Sequence, residues 1–225
     1  MLIDTGRHDS DAIFNHLEEH GVETIDLLIL THPHSDHIGN ADLIVQQYEP
    51  AEVWMDGNEA TSQTFERLID ALLEADAEYV EPRAGEAYDY GSIQLDIIHP
   101  AELTGNLNND SLSLIVTYGE VSFLFTGDAE ERSEQTMTEL GIDLQVDIYQ
   151  VGHHGSSTSN SEIFLDAIQP QVAIYSAGEN NSYGHPHVEV LERLEQRNIE
   201  VFGTEQHGTV TLVTDGEWFE LSTER

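Results

Sequence analysis

Residues 25–37 read Ile25-Asp26-Leu27-Leu28-Ile29-Leu30-Thr31-His32-Pro33-His34-Ser35-Asp36-His37. The first six form a short apolar run rich in branched side chains, of a length that suits a buried strand. The polar chemistry begins where that run ends. His-x-His-x-Asp-His gathers three imidazoles and a carboxylate in the loop at the strand's C-terminal end. Alternate residues His32 and His34 can point one way, while Asp36 and His37 turn toward a neighbouring point. Such a layout suits two metal ions held side by side. Imidazole nitrogen and carboxylate oxygen are ligands for zinc, manganese or iron, and a pair of such ions can activate water against an ester or phosphodiester. The plain alternative is a His-rich solvated loop.

The chain has 225 residues, enough for one large domain or a tight two-layer pair. Its 39% hydrophobic content is low for a globular protein but outside the disordered range. Charge is the unusual quantity: 44 acidic residues face 7 basic ones, a net charge of −37. All seven basic residues are arginine (Arg7, Arg67, Arg83, Arg132, Arg193, Arg197 and Arg225), and there is no lysine. The acids are spread from Asp4 to Glu224, which favours a halophilic surface over an acidic face built for one cationic partner. At about 1 M salt, self-repulsion is screened to within roughly 3 Å, so the protein is expected to lose structure in low salt. Seven arginines form little of a basic track, which weighs against tight nucleic-acid binding through charge alone.

Without cysteine there are no disulfides or thiolate ligands. No run approaches the ~20 apolar residues of a membrane span, and no charged-then-apolar signal pattern is read in the residues ahead of Leu2 as written. The chain as written is expected in the cytoplasm, while a start placed too late would hide an export signal and put the protein outside the cell.

Helix-like and strand-like segments alternate along the chain. Asp9 or Ser10 is placed to cap a helix carrying Ile13, Phe14 and Leu17 and ending before Gly21. After strand 25–30 and the histidine loop, a helix is expected from about residue 38 to 48, a short strand at 53–55 and an amphipathic helix over 59–75. Strands are expected at 93–98, 112–118 and 121–125, the last two as a hairpin around Gly119-Glu120. Helices at 129–140, 160–168 and 187–197 precede strands at 146–151, 172–175 and 200–202, and residues 209–213 and 218–221 form a closing hairpin. Two groups of strands with helices between them imply an α+β sandwich with helices outside and two sheets inside.

Further polar clusters stand at strand ends. Asp128, in Thr126-Gly127-Asp128, would alone read as a turn former; beside the histidine loop it is a candidate carboxylate bridging two ions. Gly152-His153-His154-Gly155-Ser156-Ser157 follows strand 146–151. Asn180-Asn181-Ser182-Tyr183-Gly184-His185-Pro186-His187 reads as a loop able to turn His185 to a substrate, or simply as a turn leading into a helix. Asn106-Leu107-Asn108-Asn109-Asp110-Ser111 offers amides, a carboxylate and a hydroxyl. Gly155-Ser156 lacks the Gly-x-Ser-x-Gly elbow of a serine hydrolase, so Ser156 is expected to be a turn hydroxyl, and nucleotide-binding glycine patterns are absent.

Taken in order, His32-Pro-His34-Ser-Asp36-His37-Ile-Gly, Asn108-Asn109-Asp-Ser111-Leu, Phe125-Thr-Gly-Asp128, His153-His154-Gly-Ser156 and Tyr183-Gly-His185-Pro resemble the metallo-β-lactamase superfamily. Within it they are most similar to the C-terminal domain of the ComEC-type DNA-uptake competence proteins and its stand-alone relatives. The resemblance runs from Leu2-Ile3-Asp4-Thr5-Gly6 to the last hairpin, so residues 1–225 are expected to be one hydrolase domain. It implies a four-layer αββα sandwich with a binuclear site of two divalent ions, zinc or manganese. It also implies roles. His32 and His34 would hold the first ion, Asp36, His37 and His153 the second, and Asp128 would bridge them, with the intervening water as nucleophile. His154 and His185 would contact the substrate or stabilise its charge, and Asn109, Ser111 and Tyr183 would border it. The reaction would then depend chiefly on Asp36, Asp128, His154 and His185.

Two departures shape the expectation. The further histidine that many members place on the first ion has no counterpart except His99, ahead of the Asn108–Ser111 motif, so that shell would be completed by Asn109, Asp110 or water. The strand hairpin that relatives carry before Leu2 is expected to be missing. The implied activity is hydrolysis of phosphodiesters, with single-stranded nucleic acid as one such substrate. The alternatives are a catalytically impaired metal-binding accessory module linked to DNA uptake, or a hydrolase of another ester or amide class.

Overall fold

The computed structural model describes residues 1–225. Backbone contacts divide them into two units: Met1–Pro82 with Glu102–Leu112, and Arg83–Ala101 with Ser113–Arg225.

The first unit is built on a four-stranded parallel sheet in the order β1 (Leu2–Ile3), β2 (Leu27–Leu30), β3 (Glu52–Met55) and β4 (Glu78–Val80). All four residues of β2 are buried, as expected of a central parallel strand covered on both faces. Helices α1 (Ala12–Glu19), α2 (Ala41–Tyr48) and α3 (Gln63–Glu74) cover the face that carries Leu28 and Leu30. Ile44, Val45, Phe65, Leu68 and Ala71 pack with Leu28, Leu30, Val53 and Met55 in one apolar cluster.

Each helix begins later than its apolar pattern implies. For α3 the cause is Ser62, whose hydroxyl accepts from the Phe65 N–H at 3.2 Å and so fixes the start four residues beyond Glu59. For α2 it is residues 38–40, which are held by the chain just after β1. Gly39 N–H donates to Gly6 O at 2.8 Å, and the Asn40 amide donates to Thr5, Arg7 and Ser10 carbonyls. A Cβ on Gly39 would lie 2.3 Å from His8 N and 2.4 Å from Gly6 O, so only glycine admits this close approach. At α1, Asp11 takes the cap position without a side-chain bond, and Ser10 Oγ accepts from Ala12 N–H.

The second unit holds a seven-stranded sheet. Strands β5 (Ala87–Tyr90), β6 (Ile93–His99), β7 (Ser113–Tyr118) and β8 (Val121–Phe125) form an antiparallel meander. The sheet continues in parallel through β9 (Ile148–Gln150), β10 (Val172–Tyr175) and β11 (Glu200–Gly203). The crossovers carry α4 (Glu131–Thr138), α5 (Glu162–Ile168) and α6 (Val188–Gln196). Phe164, Leu165, Ile168, Val190 and Leu194 from these helices pack on Leu124, Tyr149, Ala173 and Tyr175. Val121, Ile148 and Val172 instead meet Leu212, Phe219 and Leu221. The latter come from the closing hairpin β12 (Val210–Thr214) and β13 (Phe219–Thr223), which follows the one-turn helix α7 (Thr204–His207).

The expected α+β organisation of two main sheets with flanking helices is present. The sequence pattern missed β4, β5 and α7. Each has only three or four residues, and β4 carries Glu78 and Tyr79 exposed to solvent, so none of the three is long enough to show an apolar period. No helix is long and apolar enough to cross a membrane.

Candidate metal centre

Each unit carries one buried cluster of histidine and aspartate, and in both the cluster stands at the C-terminal end of a core strand. In the first unit, β2 delivers Thr31 and His32 from a rigid base. Residues 34–37 then close a single turn in which the His37 and Ile38 N–H groups both donate to His34 O at 3.0 Å. Thr5 pins this turn, its N–H and hydroxyl donating to His37 O at 2.7 and 3.0 Å. The turn brings residues five apart into contact: the His32 and His37 ring centroids are 4.1 Å apart, and His32 Nε2 is 3.0 Å from His34 Nδ1. Asp36 sits half-buried in the same turn.

Behind these rings lies Asp4, which was not among the expected site residues. Its carboxylate accepts from Thr31 N–H and Thr31 Oγ1, both at 2.8 Å, and from His37 Nδ1 at 2.7 Å. Burial alone would raise this carboxyl's pKa, but the His37 imidazole, the Thr31 backbone N–H and His32 outweigh it and hold the value below the ordinary one. An ionised Asp4 can only accept, so the proton of a neutral His37 resides on Nδ1 and Nε2 carries the lone pair. Carboxylate–histidine pairs of this kind orient metal ligands and raise their basicity. Thr31 Oγ1 is 3.2 Å from His32 Nδ1, which extends the same support to a second ring. The sequence did carry a signal for Asp4: a carboxylate directly after the apolar Leu2-Ile3, the strand-end placement that singled out Asp128.

The 102–112 loop joins this unit through Leu112 N–H, which donates to Thr31 O at 2.8 Å. Asn109 and Ser111 are buried in it. The expectation that Asp110 could complete a metal shell is corrected. Its buried carboxylate accepts from Thr104 N–H and Oγ1, Gly105 N–H and Asn58 Nδ2, all within 3.1 Å. Burial would raise its pKa, yet these donors bring it below the ordinary value. Asp110 is thus the knot that closes its own loop.

In the second unit, Asp128 follows β8 in a tight turn closed by Ala129 N–H on Thr126 O. It is 3% exposed. His153 Nε2 lies 3.5 Å from its Oδ2 and His154 Nε2 lies 3.8 Å from its Oδ1. Each ring is oriented through its other nitrogen: His153 Nδ1 meets Thr158 Oγ1 at 3.2 Å, and His154 Nδ1 donates to Ser176 O at 2.9 Å. Separations of 3.5 and 3.8 Å are too long for direct hydrogen bonds. Two ligand atoms about 2.0–2.1 Å from a tetrahedral ion stand roughly 3.3 Å apart, so the spacing fits a shared metal better. The donor set and its outer support therefore fit metal binding.

His153 and His154 both adopt the left-handed conformation, with φ of 50° and 55°. Each such residue costs about 1–2 kcal/mol, and the surroundings hold them there. Asn160, fully buried, donates from Nδ2 to Gly152 O at 3.0 Å and Ser156 O at 3.2 Å, bracketing the strained pair. Its Oδ1 accepts from Tyr149 OH at 2.9 Å, and that hydroxyl accepts from Gly152 N–H. The buried Glu134 carboxylate accepts from the N–H groups of Asn160 and Ser161; burial pushes its pKa up despite these bonds. Gly155, at φ 83°, approaches Pro186 so closely that a Cβ would lie 2.6 Å from the proline Cβ. Ser156 is a turn hydroxyl, as expected, bonded to Thr158.

Pro186 belongs to the fourth cluster. Asn181 staples this loop, with Nδ2 donating to His185 O and Gly178 O and Oδ1 accepting from His185 N–H. The His185 ring lies 5.8 Å from His153 and 6.4 Å from His154, nearly parallel to the latter at 21°. Burial, with His187, His153 and His154 nearby, brings its pKa down to about 4, so His185 is neutral at pH 7. His187 is a structural tie, its Nδ1 accepting from Ser157 N–H at 2.9 Å. Tyr183 stacks on His185 at 5.7 Å and 22°.

Residues 1–179 match the family model of the metallo-β-lactamase superfamily. ComE operon protein 3 of Bacillus subtilis is 34% identical over 191 residues, 84% of this chain and 25% of that protein. Recombination protein 2 of Haemophilus influenzae is 32% identical over 220 residues, 94% of this chain and 26% of that protein. The chain thus spans about a quarter of the length of these relatives. Among solved structures, the metallo-β-lactamase-fold protein YhfI from Bacillus subtilis superposes with a TM-score of 0.57 at 11% identity, covering 98% of this chain and 87% of that one. The chain belongs to the metallo-β-lactamase superfamily and has its fold of two main sheets flanked by helices.

Proposed function

We propose that residues 1–225 act as one metal-dependent hydrolase domain that cleaves phosphodiesters, nucleic acid being the substrate class that the likeness to Recombination protein 2 suggests. The observation that carries this reading is the opposition of His153 and His154 Nε2 to different oxygens of one buried aspartate, Asp128. Both oxygens of that carboxylate face imidazole nitrogens, which suits a metal-binding role for Asp128. In the proposal His32 and His34 would hold one ion, Asp36, His37 and His153 would hold the other, and Asp128 would serve both, zinc or manganese suiting the donors. When bound, such a pair supplies Lewis acidity and makes water acidic enough to attack near neutral pH.

The protein's own groups have distinct tasks. Asp4 fixes the tautomer of His37. Ser176 O holds the proton of neutral His154 on Nδ1, which gives its Nε2 a lone pair suited to accepting a proton or binding a metal. Hydrogen bonding to an anionic phosphoryl oxygen then falls to His185, neutral and held by the stapled loop. Asn109 and Ser111 border the substrate.

Hydrolysis of bis(p-nitrophenyl) phosphate in about 3 M KCl, with Mn²⁺ or Zn²⁺ and with metal content measured, tests the proposal. Metal-dependent turnover that falls to background in Asp128→Ala supports it. Absence of turnover from folded protein carrying two ions refutes it and leaves a metal-binding accessory module.

A further inference from the structure

We propose that Tyr183 is a base-stacking platform, so that the substrate is a nucleoside-bearing phosphodiester with an unpaired base; this rests on the diesterase reading above for its reacting group. Tyr183 is 75% exposed, and its hydroxyl makes no hydrogen bond within the chain. Neither core burial nor polar bonding accounts for its position. Its loop is nevertheless held in place, by the three Asn181 bonds to His185 and Gly178 and by the contact of Pro186 with Gly155. The ring lies nearly parallel to His185, which lies nearly parallel to His154, itself facing Asp128. The outer end of this aromatic series is an open π-face presented by a braced loop. A base stacked there would share a short run of rings with the residues that oppose the catalytic carboxylate.

Charge leads to the same substrate chemistry. With 44 acidic and 7 basic residues, the chain has little cationic surface to draw in a polyanion. Beyond the metal ions of the proposed site, affinity for a nucleotide has to draw on contacts that do not depend on opposite charge, and stacking on an aromatic face is one that every base can make and that salt does not screen. A duplex presents no open base face, so the platform selects single strands, ends or nucleotides.

Two measurements on the full chain test this. First, fluorescence anisotropy in 1 M KCl compares a labelled ten-residue oligothymidylate with an abasic oligomer of equal length. We expect about tenfold tighter binding of the base-bearing strand, within the range one stacked base contributes. Tyr183→Ala should abolish the difference, and Tyr183→Phe and Tyr183→Trp should retain it. Second, with Mn²⁺, kcat/KM for thymidine 5′-(p-nitrophenyl phosphate) is compared with that for methyl p-nitrophenyl phosphate, which shares the leaving group but has no base. Tyr183→Ala should reduce the preference for the thymidine ester about tenfold, through KM. Equal binding of the two oligomers, no binding of either, or a preference indifferent to Tyr183 overturns the stacking proposal. Hydrolysis of both esters at the same kcat/KM overturns stacking while leaving the diesterase reading intact. Tyr183-dependent oligomer binding with neither ester hydrolysed supports stacking and overturns the diesterase.

Discussion

Asn160→Ala is the substitution whose consequence the structure specifies most fully. It removes two amide bonds, to Gly152 O and Ser156 O, and the acceptor for Tyr149 OH, all in a fully buried setting. Each lost bond costs about 1 kcal/mol, and the buried groups left behind add part of their desolvation penalty. Position 160 has φ of 61°, where alanine is further strained by up to about 1 kcal/mol relative to asparagine. The sum is about 4 kcal/mol, a large share of the roughly 5–15 kcal/mol that stabilises a domain. At about 2–4 °C per kcal/mol for a chain of this size, the melting midpoint should fall by roughly 8–16 °C. The bonds bracket His153 and His154, so the same change should also relax the left-handed pair and weaken metal binding beside Asp128. Asn160→Gly relieves φ without restoring the bonds, so it should recover little. The assay is a circular-dichroism melt, with Zn²⁺ content after equilibrium dialysis read in parallel at a temperature where the variant is folded. A midpoint within 2 °C of the parent, with unchanged zinc content, would refute the claim that this network holds the histidine pair.

Other expectations follow from the same geometry. Asp4→Asn removes the charge that fixes the His37 tautomer and should weaken metal binding about 10–100-fold, measured by competition with a chelating dye; unchanged affinity would discount the pairing. For His185 the folded pKa of about 4 lies below the ordinary imidazole value of about 6.5, so between these values the unfolded chain binds more protons. Its contribution to stability is complete above about pH 6.5 and is lost as pH falls toward 4. In metal-free protein His185→Gln should therefore flatten the decline in urea midpoint between pH 7 and pH 5, and a parallel decline in both proteins would contradict the assignment. A net charge of −37 with no lysine leads us to expect a lower melting midpoint at 0.1 M than at 3 M KCl; coincident melts would remove the case for salt adaptation.

The parts of the fold legible in the sequence were those whose signal is local. Leu27–Leu30 announces a buried strand by its own composition, and Gln63–Glu74 announces a helix by the spacing of Phe65, Leu68 and Leu72. Helix starts were less accessible, since Ser62 and the Gly39 contact with Gly6–His8 set them through single bonds and close approaches. Glu78–Val80 and Ala87–Tyr90 are strands because a neighbouring strand offers them hydrogen bonds, which no pattern in three or four residues can convey.

The same division runs through the site. From residue type and strand-end placement alone came the candidate donors: His32, His34, Asp36 and His37, then Asp128, His153 and His154. Ligand chemistry belongs to the side chain and survives without knowledge of its surroundings. Tertiary structure decided what each donor is prepared to do. It placed Asp4 on His37 across 33 positions, occupied Asp110 with its own loop, set the Ser176 carbonyl on His154, and held two histidines left-handed with Asn160. Protonation state, tautomer and backbone strain depend on what lies within a few ångströms, and folding alone brings those neighbours there.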